Sequence, residues 1–349
     1  MPLEEWPAAD RAVWERMVTP VDILDDAGPL AHWSQETKRK CIASYGHWLS
    51  YLRFREQLPA AGTSITRIQP DLLQDYLSFL QRHLSPVTVF MRVVDLLSVA
   101  QAAAPDRDWE WLRRIRRRLE ACLAPVRNKQ ARIVPSRALF ELGQQLMETA
   151  PMMTHISPRP AAVQYRDGLL IALLASRPLR MKNMAQIEIG RHLTRTEDSY
   201  WLTFEAYETK NHRPIHVDVP RALNDAMDVY LECHRPTLQG ERQSDRLWLS
   251  IRGSNVTKDS LACNIRRRTA KHFGFVVNAH LFRDCAATSL AIDDPEHVRA
   301  AAALLCHKSL STTTRHYDQS RMLGASRNQQ AQISELRDRL RRDERENMG

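Results

Sequence analysis

Glycine is scarce, with 11 in 349 residues, and β-branched residues rarely alternate over long runs. A sandwich or barrel of many tight turns is therefore excluded, and a mainly helical chain is expected. No apolar run approaches the ~18 residues that a membrane-crossing helix requires. The opening MPLEEWPAAD has no basic region followed by an apolar stretch. Neither a signal peptide nor a membrane span is expected, which leaves a soluble cytoplasmic protein as the default. The six cysteines (Cys41, Cys122, Cys233, Cys263, Cys285, Cys306) include no C-x-x-C pair, so neither a disulfide framework nor a zinc module is suggested. Cys233-His234 and Cys306-His307 lack partner ligands at metal-site spacing.

What the chain does have is positive charge, a formal +9, which fits an anionic partner once the charge is located. Between Arg107 and Arg137 stand ten basic and three acidic residues. Taken alone, such a run reads as a solvated helix face. Here it leads into the proline-punctuated APVRNKQARIVPSR, which reads as a linker passing over a polyanion. Arg113, Arg114, Arg116, Arg117, Lys129 and Arg132 are the candidate contacts to such a polyanion in this run.

Length suggests two domains. Residues 1–29 form an acidic extension, seven acidic against two basic side chains, better suited to packing on protein than to grasping DNA. A helical domain is expected over 30–125, with Ile42, Tyr45, Leu49 and Leu52 facing inward, a second helix over 71–83 and a third opening at Ser85-Pro86. A basic linker at 126–134 precedes a second domain over 135–320. That domain begins with helices including GLLIALLAS (168–176) and continues as a small antiparallel sheet within 189–219. Helices are expected at 221–234, 258–273, 280–292 and 295–305. The tail, 321–349, is charged, with Ile333, Leu336 and Leu340 as a thin helical stripe that has little to bury alone.

Four segments carry candidate chemistry: RPLRMKN around Arg180, ETKNHR around Lys210, HLFRD from His280 to Arg283, and CHKSLSTTTRHYD from His307 to Tyr317. Singly each is ordinary: a surface arginine, a solvated turn lysine, a His and Arg one helical turn apart. In this order and spacing they resemble the tyrosine recombinases, the phage-integrase type of site-specific DNA recombinases. That resemblance implies a helical core-binding domain followed by an α+β catalytic domain with a small antiparallel sheet. It assigns catalytic roles to Arg180, Lys210, His280, Arg283, His307 and Tyr317. The chain departs from the family pattern in having Asn183 where an acid is often found, and in placing Tyr317 ten residues after His307 with His316 in the usual slot.

The implied chemistry accounts for the residue types. A phenol with a pKa near ~10 is a poor nucleophile at neutral pH, and surrounding cations favour the phenolate while neutralising the scissile phosphate. Tyr317 would attack phosphorus to give a 3′-phosphotyrosine and a 5′-hydroxyl. Two planar guanidiniums, Arg180 and Arg283, would hold the non-bridging oxygens. Lys210 is the candidate general acid for the leaving oxygen, with Lys182 and Lys308 as alternatives. His280 would assist proton transfer at the phenol, and His307 would donate to the phosphate. No metal, other cofactor or ATP is called for, because the phosphotyrosine stores the bond energy for rejoining.

Arg213 is a candidate phosphate contact beside Lys210, as are Arg267 and Lys271 in RRRTAK, against the alternative of plain solvation. The resemblance further implies double-stranded DNA with inverted half-sites, protomers assembling as dimers and then a tetramer, and an accessory DNA-bending factor as a candidate partner. An inactive DNA-binding relative and a type IB topoisomerase are the rival readings. The retained Arg180, Arg283 and Tyr317 speak against the first.

Overall fold

A computed structural model of the chain describes residues 1–20, 27–123, 130–153 and 157–293. The expectations for Lys129, His307, Tyr317, the helix at 295–305 and the tail at 321–349 lie outside the described residues. The chain divides into two compact units, Met1–Arg127 and Asn128–Gly349.

The first unit is helical: α1 (Ala8–Val18), α2 (Gln35–Phe54), α3 (Pro70–His83), α4 (Pro86–Ala103) and α5 (Glu110–Ala121). Ser34 caps α2 by accepting from the Thr37 amide at 3.2 Å, and Ser85 caps α4 by accepting from the Thr88 amide at 3.3 Å. Pro86 occupies the opening of α4, where a missing N–H leaves no bond unmade. Tyr45, Leu49 and Leu52 of α2 are buried with Trp14, Tyr76, Val93, Leu96, Trp109 and Leu112, while Ile42 packs half-buried at the edge. Each such large side chain contributes about 1.5–3 kcal/mol through the water it sheds. The acidic opening segment is part of this core through Trp6, Trp14 and Met17. Its Asp10 is buried, where it accepts from the Tyr45 hydroxyl at 2.6 Å and from the Ser64 amide and hydroxyl at 2.9 and 2.8 Å. Among the described residues, α4 alone is long and apolar enough to cross a membrane. Its Val89, Val93, Leu96 and Ala100 are buried in the unit's core.

The second unit contains α6 (Ser136–Thr149), α7 (Pro158–Ser176), α8 (Met181–Ala185), β1 (Leu193–Arg195), β2 (Tyr200–Phe204), β3 (Ile215–Asp218), α9 (Asn224–Val229), α10 (Arg235–Gln239), α11 (Lys258–Phe273) and α12 (Ala279–Asp293). The central element is α7, whose residues from Leu169 to Leu174 are fully buried, as its unbroken apolar run requires. Its approach to α6 is set by backbone: a Cβ on Gly143 would lie 2.7 Å from the Gly168 carbonyl oxygen, and a Cβ on Gly168 would lie 2.6 Å from that of Gly143. The three strands form one antiparallel sheet in the order β1-β2-β3, with Leu202 opposite Val217 and Phe204 opposite Ile215.

The helix expected over 221–234 is broken. A 3-10 turn at Arg221–Leu223 precedes α9, and a π-helical turn at Tyr230–His234 precedes α10. Pro236 follows that widened turn. In a regular α-helix it would leave one bond unmade and clash with the carbonyl four residues back. Gly274 ends α11 with φ of 76°, the left-handed conformation that favours glycine.

Candidate active site

The stretch Arg177-Pro178-Leu179-Arg180, which links α7 to α8, touches two other elements. Arg177 grips the end of β3, donating from Nε to the Asp218 carbonyl at 2.9 Å and from Nη2 to the Asp218 carboxylate at 2.8 Å. That bond, the largest effect on Asp218, holds its carboxyl below the ordinary carboxylate range against a smaller opposing effect of burial. Arg283 on α12 donates from Nη1 to the carbonyl of Pro178 at 2.5 Å. Arg180 itself stands at the N-terminal boundary of α8 with extended backbone, half-buried, and its guanidinium has no ion-pair partner among the described residues. Arg283 is 7% exposed, so the two arginines are presented from one short piece of backbone and the helix bonded to it.

The N-terminal turn of α12 is fixed from beneath. The Thr269 hydroxyl of α11 donates to the Ile265 carbonyl at 2.9 Å within its own helix and accepts from the Val277 amide at 3.1 Å. Asn278 then accepts from the Leu281 amide at 3.0 Å through its side chain. Leu281, Phe282 and Cys285 point into the core, which leaves His280 exposed one turn before Arg283. Burial pushes the Cys285 thiol up to about 11, so this cysteine is an unreactive packing residue.

Lys210 lies exposed in the connection between β2 and β3. The buried Thr209 hydroxyl closes its turn, accepting from the Arg213 amide at 3.0 Å and donating to the Arg213 carbonyl at 2.7 Å. His212 takes φ of 51° inside that turn. On the other side of Thr209, Glu208 is held at both backbone and side chain. Asn183, buried on α8, donates from Nδ2 to the Glu208 carbonyl at 3.2 Å. The Glu208 carboxylate accepts from Arg191 at 2.6 Å, from His192 Nε2 at 3.0 Å and from the Glu205 amide at 2.9 Å. Burial alone would raise this carboxyl. The bonds from His192 and the Glu205 amide, with the charge of Arg191, outweigh it and hold the group below its ordinary value. His192 Nδ1 accepts from the Glu188 amide at 3.1 Å, which makes Nε2 the protonated nitrogen facing Glu208.

The fold thus ties the Arg180, Lys210 and Arg283 segments to one another through backbone carbonyls. The other basic residues named from sequence have varied surroundings. Arg213 is exposed beside Lys210. On α11, Arg267 and Lys271 are exposed, whereas the neighbouring Arg268 pairs with buried Asp167 at 3.0 Å, which also carries Arg166. Arg132 donates to the Val276 carbonyl ahead of α12, so its guanidinium is engaged in holding the second unit together. On α5, Arg113 and Arg117 pair with Glu110, Arg116 lies 3.9 Å from Glu120, and Arg114 is exposed. Asn183, Glu208 and His192 were not found by sequence reasoning as parts of one cluster. The only signal was that Asn183 occupied a position where an acid is common.

The second unit holds the stretch that matches a family model. Residues 144–323 match the phage integrase family. No curated protein matches the chain. Among solved structures, the pre-cleavage complex of the site-specific recombinase XerH with difH substrate is similar at a TM-score of 0.55 and 19% identity, over 86% of this chain and 80% of that one. The post-cleavage complex of XerH with palindromic difH is similar at 0.53 and 18%, over 93% and 98%. A lambda integrase dimer (residues 75–356) bound to a COC′ core site is similar at 0.54 and 13%, over 83% and 91%. At these identities the structures speak to fold. Because the family model spans more than half of the sequence, the chain belongs to the phage integrase family, the tyrosine recombinases.

Proposed function

We propose that the protein is a site-specific DNA recombinase that cleaves and rejoins duplex DNA through a 3′-phosphotyrosyl intermediate on Tyr317. The observation that best supports this reading is the bond from Arg283 to the Pro178 carbonyl. It ties the second arginine to the stretch of backbone that ends in Arg180, as two planar donors serving one phosphate would require.

In this reading the Tyr317 oxygen attacks phosphorus, a P–O bond to Tyr317 forms, and the bond to the 5′-oxygen breaks. That oxygen takes the electron pair and a proton from the Lys210 ammonium, which leaves a neutral amine and a free 5′-hydroxyl. Arg180 and Arg283 stabilise the charge that accumulates on the non-bridging oxygens, with His307 donating to the same group and His280 taking the phenol proton. Rejoining reverses these steps with a 5′-hydroxyl from another strand, so neither metal, other cofactor nor ATP enters. The domains assigned are 30–125 for core binding and 135–320 for catalysis, joined by the linker at 126–134. The partners assigned are duplex DNA with inverted half-sites, further copies of the chain up to a tetramer, and an accessory DNA-bending factor.

The deciding experiment uses a nicked suicide duplex carrying a site selected from a library of inverted repeats. A covalent protein–DNA band is expected with the intact chain and its absence with Tyr317→Phe. A band that persists in Tyr317→Phe would overturn the nucleophile assignment. A chain that binds the site and never forms the band would be an inactive binder.

A further inference from the structure

We infer that Asn183 is a positioning residue for Lys210, and that the hydrogen its carboxamide donates to the Glu208 carbonyl sets the general acid against the arginine pair. The inference rests on the reading of Lys210 given above and adds a residue to it.

Three observations carry it. Asn183 lies on α8, which begins right after Arg180, and is 1% exposed. Its Nδ2 donates at 3.2 Å to the backbone carbonyl of Glu208, two positions ahead of Lys210. The turn is held at both of its ends: Thr209 is bound through its hydroxyl to both backbone groups of Arg213, and Glu208 is fixed through its carboxylate by Arg191 and His192. The Asn183 amide is thus a direct bond between the backbone that carries Arg180 and the turn that carries Lys210. A carbonyl oxygen accepts and cannot donate, so the position needs a donor. An ionised acid there, common in the wider family, would set two acceptors against each other in a dry setting.

The inference therefore makes an inverted expectation: supplying the acid impairs the enzyme. Asn183→Asp at neutral pH should slow single-turnover cleavage of a suicide duplex on the order of ten- to hundredfold, the consequence of leaving a buried acceptor unmatched. As pH falls and the introduced carboxyl protonates, it gains an O–H donor, so the deficit relative to the unsubstituted protein should shrink. Asn183→Ala, which removes the donor without adding charge, should show a deficit that does not shrink with acid.

A duplex whose scissile 5′-oxygen is replaced by sulfur separates positioning from general stability, because a thiolate leaves without being protonated. Lys210→Ala, Asn183→Asp and Asn183→Ala should each be slow on the oxygen duplex and should recover together on the sulfur duplex. If Lys210→Ala is not rescued by sulfur, the general-acid reading fails and this inference falls with it. If Lys210→Ala is rescued while the Asn183 variants are equally slow on both duplexes, the inference alone is overturned. Cleavage of the oxygen duplex at the unsubstituted rate by either Asn183 variant would also overturn it. Should Asn183→Asp fail to fold at neutral pH, Asn183→Ala carries the comparison.

Discussion

Arg283 donates from Nη1 to the carbonyl oxygen of Pro178, a residue 105 positions earlier in the chain. The bond uses one nitrogen of a planar five-donor group, and an ammonium on a flexible stem cannot hold a backbone carbonyl and a phosphate in the same fixed plane. Arg283→Lys is therefore expected to lower single-turnover cleavage about 10²- to 10³-fold, the range for losing one oriented donor to developing charge. Gel-shift affinity for the same duplex should change far less. Parallel losses in both measurements would contradict a role confined to the transition state.

The carboxylate of Glu208 gives the Lys210 turn a dependence on acid. Its folded-state pKa is depressed below 4.5, so the ionised form is favoured in the folded state, and the stability this adds is present above the unfolded value. It is lost as pH falls through the lower folded value. Glu208→Gln removes the titration. The stability gap between the two proteins should stay level from pH 7 to about 5 and close below about 4.5. Urea midpoints across that range check this, and a gap independent of pH would contradict it.

Asp167 is 1% exposed and lies between Arg166 and Arg268, whose Nε sits 3.0 Å from its second oxygen. Removing the shared anion strands two guanidiniums, one of them fully buried. Asp167→Ala should destabilise the second unit by about 3–5 kcal/mol. Thermal melting should show this as a transition at markedly lower temperature, with the first unit's transition unmoved.

Two arginines of the basic run should separate by behaviour. Arg114 is exposed on α5 with no acidic partner among the described residues. Arg114→Ala should weaken duplex binding and reduce the slope of log affinity against log salt by about 1. Arg132→Ala should instead lower the melting temperature of the second unit, because Arg132 donates to the Val276 carbonyl.

These contrasts indicate what a sequence can and cannot convey. The cap at Ser85, the proline at the start of α4 and the inward stripe of Tyr45, Leu49 and Leu52 are local: each depends on neighbours within a turn or two, and each was readable. So were the small sheet and the order of the motifs that carry the family. Charge was less readable, because one arginine looks like another in a run. Arg268 serves a buried carboxylate and Arg132 a carbonyl, while Arg267 between two cations stays on the surface. The contact between Asn183 and Glu208 was out of reach for a different reason, since it depends on where a helix and a strand connection meet after folding. The break at Tyr230–His234 could have been anticipated from Pro236.

The burial of α7 and its fixed spacing from α6 have a consequence for how the protein would fail. The helix that leads into Arg177 and Arg180 is locked on all sides by core side chains and, at Gly143 and Gly168, by backbone against backbone. The segment from Arg177 to Arg180 follows that helix directly and is tied to β3 and α12 by hydrogen bonds, so it is expected to loosen together with the core. On heating, phosphate capture and the second unit's cooperative transition should therefore be lost at one temperature, and alleles that are temperature-sensitive for recombination should map to the α6–α7 seam as readily as to the residues that meet DNA.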